Sequence, residues 1–171
     1  RPQRTAAGAA SAAGHDGLLK PASPGQHRVD SFSLYCWATE IRPDEQMRVL
    51  GLIEARLARH PQRQDDHVYR GALLARLSQD IADPDQRRRV LASGLDLMRL
   101  TVLPDWTGPV TRLQVLYARA VTLAQLPAAA VPAVEAWQNI RELMRHPGFP
   151  RLHPLRHAHA QAAHRELVRS E

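Results

Sequence analysis

The sequence predicts an all-α protein, a right-handed array of antiparallel helix pairs. Three observations carry this. Leu57-Ala58-Arg59-His60-Pro61 and Leu143-Met144-Arg145-His146-Pro147 share Leu, Arg, His and Pro at equal offsets. Leu97-Met98-Arg99-Leu100-Thr101 is a weaker third copy, and each copy closes an apolar run of helical period. Val68-Tyr69 with Ala72 recurs as Leu116-Tyr117 with Ala120, 48 residues on. Self-similarity at a near-constant spacing marks stacked supersecondary units. One amphipathic pair leaves an apolar face bare, so neighbouring pairs cover one another. A compact six-helix bundle is the alternative.

Residues 1–28 are rich in Ala, Gly, Ser and Pro and nearly lack large apolar side chains, so they read as a disordered tail or linker. The helical domain is placed at 29–171. Val29 to Ile41 fits both helical and alternating patterns through Phe32, Leu34, Tyr35, Trp37 and Ile41; a short helix is preferred. The first clear helix opens at Pro43-Asp44-Glu45, buries Met47, Leu50, Ile53 and Leu57, and stops at His60-Pro61. The second runs from Asp65 to Ile81, capped by Asp65 or Asp66, with Val68, Ala72, Leu73, Leu77 and Ile81 inward. Asp83-Pro84 starts the third, which ends near Leu100 and turns Val90, Leu91, Gly94, Leu95 and Met98 inward. The fourth spans Pro109 to Leu126 on Val110, Leu113, Tyr117, Val121 and Ala124. The fifth starts at Pro132 and reaches His146 through Trp137, Ile140 and Met144, with Trp137 read as core packing. The sixth, His153 to Arg169, has a thinner stripe of Leu155, Ala158, Ala162 and Leu167. Spacing pairs the second helix with the third and the fourth with the fifth.

The fourth and fifth helices resemble a degenerate tetratricopeptide unit. Tyr117, Ala120 and Ala124, followed by Ala133, Trp137 and Pro147, fall near that family's aromatic, small-residue and terminal-proline positions. Val121 stands where the family has Gly, Ile140 where it has Ala, and the spacing of 46 to 48 exceeds the family's 34. The resemblance implies a concave wall made by the first helix of each pair.

The composition, 44% apolar and 23% charged, is that of a globular chain. The formal charge is +6, but half of it lies in residues 1–29, so the helical part is only mildly basic. Arg supplies every basic residue except Lys20; this, with the abundant Ala, suggests a bacterial, GC-rich coding sequence. Cys36 is the single cysteine, which excludes an intrachain disulfide, and between Tyr35 and Trp37 it reads as a small core residue. No run of 18 apolar residues exists to span a bilayer. A cytoplasmic location is expected, with secretion through a leader in residues 1–28 as the alternative.

No nucleophile elbow or phosphate-cradling loop is present, so no enzyme and no cofactor is expected. His153, His157 and His164 share a helical face as metal ligands must, but no carboxylate stands among them, and a solvated helix is the plainer reading. Arg87-Arg88-Arg89 invites phosphate, though Asp80, Asp83 and Asp85 balance it, and nucleic acid is the lesser expectation. Trp106 is either a core plug or an exposed anchor. The leading function is a non-enzymatic scaffold gripping a protein or acidic peptide on a concave wall of Tyr69, Arg70, Arg76, Arg112 and Arg119, with Trp106 beside it. A secreted effector or the sensing domain of a regulator is the alternative.

Overall fold

The computed structural model describes residues 29–169. The tail assigned to 1–28 lies outside the described residues. Among the described residues seven α-helices follow one another: α1 (Ser31–Cys36), α2 (Gln46–Arg59), α3 (Gln64–Ser78), α4 (Pro84–Leu100), α5 (Pro109–Gln125), α6 (Ala133–Arg145) and α7 (Phe149–Arg169). A π turn, Trp37–Ile41, extends α1, and a 3-10 turn, Pro43–Glu45, leads into α2. No strand occurs among the described residues.

Local chemistry explains most boundaries. Asp30 caps α1, accepting from the Ser33 amide at 2.7 Å and the Ser33 hydroxyl at 3.1 Å. Asp83 caps α4 by accepting from the Asp85 amide at 3.2 Å, and Pro84 occupies the first turn, where its missing N–H costs nothing. Asp83→Ala is expected to lower stability by about 1 kcal/mol in urea unfolding. The expected acidic cap of α3 is not formed: Arg63 holds that position and Asp66 is buried inside the first turn. α7 begins at Phe149, ahead of the expected His153, and carries Pro154 internally. The Gly148 amide donates to His146 Nδ1 at 3.0 Å, and buried Leu152 anchors the first turn.

Several core stripes are rotated from those expected. In α2, Val49 joins Leu50, Ile53 and Leu57, while Met47 faces solvent. In α3, Leu77 is only partly buried and Ile81 lies past the helix end. In α5, Leu113 and Tyr117 are inward, but Val110 and Ala124 are exposed. In α6, Leu143 is inward, whereas Trp137 and Met144 point outward, so Trp137 is not core packing. In α7, Leu152, Ala160, Ala163 and Leu167 are buried, and Leu155, Ala158 and Ala162 are not. Apolar residues lie on more than one side of these helices, and the neighbouring helix selects which side is covered.

α3 and α4 pack antiparallel at close range. A Cβ built on Gly94 would stand 2.7 Å from the Gly71 carbonyl and 2.7 Å from the Ala75 amide nitrogen. α5 and α6 form a second antiparallel pair, and α3 lies beside α5. α1 sits at the centre, touching α2, α3, α5 and α7. All six of its residues are buried. Phe32 meets the rings of Tyr69 and Tyr117 with centroids 6.2 and 6.1 Å away, and Tyr35 meets Tyr69 at 5.9 Å. α1 therefore fills the wall between α3 and α5. α7 returns to α1 and the π turn, and touches α6 only slightly.

Candidate functional site

The residues expected on a binding wall are mostly engaged within the fold. Tyr69 is buried against Phe32 and Tyr35 and belongs to the core. Arg76 joins three helices: Nη2 donates to Tyr35 Oη at 2.9 Å, Nε to Thr122 Oγ1 at 3.2 Å, and Nη1 to Gln125 Oε1 at 2.5 Å. Its guanidinium also lies over the Tyr35 ring. Arg70 pairs with Glu54 at 3.1 Å. Arg112 fastens the loop before α5, donating to the carbonyls of Thr107 at 3.1 Å and Pro104 at 2.6 Å. Arg119 is partly buried, and desolvation pushes its guanidinium pKa down against the field of Glu142. Of this set the structure brings Tyr69 and Arg76 together, both against Tyr35. In the basic run, Arg87 donates to the Ile81 carbonyl at 2.8 Å and Arg88 to Asp85 at 2.7 Å.

The histidines of α7 are divided among different partners. His157 Nδ1 lies 3.1 Å from Glu40, which also receives Arg156 at 2.8 Å. His164 accepts from Trp37 Nε1 at 3.1 Å, and His153 lies against Arg156 and the Phe149 ring. His159, off the expected face, meets Ser33 Oγ at 2.8 Å. Among the described residues no group of three or more His, Cys, Asp or Glu is placed to hold a metal ion. His157, His159, His164 and Arg156 fasten α7 to α1 and the π turn. Cys36 is buried, and burial pushes its thiol pKa far up, away from thiolate chemistry.

Asp66 is a buried acid at the junction of α1, α2 and α3. Its carboxylate is enclosed beside the Ser31 hydroxyl, and Arg63 Nε lies 3.4 Å away. Burial raises its pKa; the Ser31 hydroxyl and the Arg63 and Arg56 guanidinium groups oppose that rise without cancelling it. The folded state therefore holds this proton at a pH where the unfolded chain has released it. The stability it contributes is full below the ordinary value of 3.8 and is lost as pH climbs through the raised folded value. The stability of Asp66→Asn relative to wild type should consequently increase with pH across that window. Urea unfolding of both chains at several pH values measures the difference.

The open surface lies elsewhere. α6 carries Ala133, Val134, Ala136, Trp137, Ile140, Leu143 and Met144 within 13 residues, but only Leu143 is fully covered. α5 covers one edge of this stripe; Trp137 and Met144, each 61% exposed, stand on the other. Beside them a groove of about 440 Å³ opens between α5 and α6, with Leu123, Ala124, Leu126, Val131, Ala136 and Ile140 in its walls. Arg141 follows Trp137 by one helical turn and Arg145 follows Arg141 by another, so the arginines border the exposed edge. Trp106, 84% exposed, is an exposed side chain and no core plug; it borders a separate cleft with Gln62, Arg63, Gln64, Asp65, Leu103 and Pro104. The Trp137 edge went unrecognised because Trp at a helical core position reads as packing. The available signal was the width of the α6 stripe, broader than one neighbouring helix covers. Comparison with known proteins gives no match: no protein-family model, curated protein or solved structure matches the chain.

Proposed function

We propose that the protein is a non-enzymatic interaction module that docks a partner protein on the groove between α5 and α6. The exposed Trp137 beside an open apolar groove carries this reading. A well-packed chain leaves large aromatic side chains exposed at a cost in solubility, and such residues concentrate at interface hot spots. The antiparallel pairs α3/α4 and α5/α6 support the tetratricopeptide-like reading. On that reading α1 occupies the concave wall, and the partner takes the outer edge of the last pair.

A photo-crosslinking residue with a benzophenone side chain in place of Trp137, which keeps an aromatic group at the anchor position, should yield a discrete protein adduct in the source cell. The same residue in place of Met47, also exposed but on α2, should not. Equal labelling from both positions, or none from 137, ends the proposal. Trp137→Ala is expected to change stability by no more than about 0.5 kcal/mol, because the side chain packs little; urea unfolding checks this.

A further inference from the structure

We infer that the occupant of the α5–α6 groove is an amphipathic helix of a partner protein whose apolar stripe is bordered by acidic side chains. This inference rests on the docking reading above and adds the chemistry of the partner. The shape points to a helix. The groove is edged by Ala124, Ala128, Ala133 and Ala136, whose small side chains let another backbone come near. Trp137 and Met144 are seven residues apart and stand on one side of α6. Two exposed apolar side chains at that separation can lie alongside the i, i+3, i+4, i+7 anchors of a partner helix seated in the groove.

The charge points to acid. Arg141 and Arg145 are exposed, and neither forms an ion pair among the described residues. Glu135, on the same helix, is already held by Arg99 at 2.6 and 2.7 Å. Glu142 lines the cleft on the far flank together with Arg141, Arg145, Leu116 and Gln138, where the two arginines outnumber it, and it lies in the field of Arg119. The surplus along the exposed edge is therefore positive. A second copy presenting the same face would set these arginines against one another, which disfavours self-pairing. A concavity walled by alanines receives side-chain knobs, whereas a membrane surface is met by a convex apolar face.

The test uses the full chain and two synthetic helical peptides of about 18 residues, long enough to follow α6. They share one Leu/Ala stripe; one is flanked by Glu, the other by Lys. Isothermal titration should show the Glu peptide binding about tenfold more tightly at roughly 50 mM salt, with the gap shrinking near 300 mM. Arg141→Glu with Arg145→Glu should reverse the preference, and Trp137→Ala should remove binding of both peptides, with circular dichroism confirming the fold. Equal binding of the two peptides to wild type overturns the acidic partner and leaves the docking reading standing. Failure of both peptides to bind overturns both. Tighter adsorption to vesicles of phosphatidylcholine and phosphatidylglycerol than to the Glu peptide replaces the helix with a membrane surface. A dimer seen by light scattering and lost in Trp137→Ala replaces it with a second copy.

Discussion

Phe32→Ala is expected to destabilise the protein by about 3–5 kcal/mol, the range for deleting a fully buried aromatic ring. Phe32 is the meeting point of three helices besides its own. Its ring faces Tyr69 of α3 and Tyr117 of α5, and His159 of α7 stands edge-on at 5.2 Å. Removing it leaves a cavity that cannot close easily, because α1 is held on its other side by the Tyr35 hydroxyl. That hydroxyl lies 3.0 Å from Thr122 Oγ1 and accepts from Arg76. The loss therefore exceeds the transfer energy of the ring alone, since the lining atoms forfeit their contacts. Urea unfolding followed by far-ultraviolet circular dichroism gives the magnitude. A loss under about 1 kcal/mol, typical of surface positions, would show that α1 does not hold the other helices together.

Gly94→Ala is the second large effect, and its sign opposes helix propensity. Within α4 the replacement by itself favours the helix by about 1 kcal/mol. The new methyl, however, would sit 2.7 Å from the Gly71 carbonyl and the Ala75 amide nitrogen. Both are backbone atoms of α3, so relief requires the two helices to separate along their whole contact. The net change is expected to be a destabilisation of about 2 kcal/mol, within the range for forced overpacking. Gly51→Ala is the matched control: it lies in α2 with nothing within 4 Å of the added methyl. There the propensity term stands alone, and a gain of about 0.5–1 kcal/mol is expected. Thermal or urea unfolding of the two variants should move the midpoint in opposite directions.

Several helix starts and the two main pairings were legible in the chain because they rest on local chemistry; the end of α3 and the start of α7 were not. Asp83-Pro84 begins α4, Pro109 lies in the first turn of α5, and Pro132 precedes α6. Gly94 was also legible as an inward-facing position, although its partner Gly71 was not. The candidate site was poorly legible. Tyr69 and Arg76 both lie on α3, the first helix of its pair, and were expected to face a ligand, yet they face α1. Their role depended on where residues 31–41 pack, and that stretch showed no single period. Trp137 was misplaced for the converse reason. Its stripe is apolar on both edges, and only the absence of α7 from one edge leaves it open.

By itself, then, the amino-acid order determined an all-helical domain, the starts of several main helices and their antiparallel hairpins. These are decided within a few residues, by caps, prolines and apolar spacing. Only the tertiary structure decided that α1 enters the space between α3 and α5, that α7 closes on α1 through Glu40, Trp37 and Ser33, and that the outer edge of α6 is bare. Those outcomes depend on contacts between residues up to 127 positions apart. A helix with more than one apolar side buries whichever side its neighbours reach.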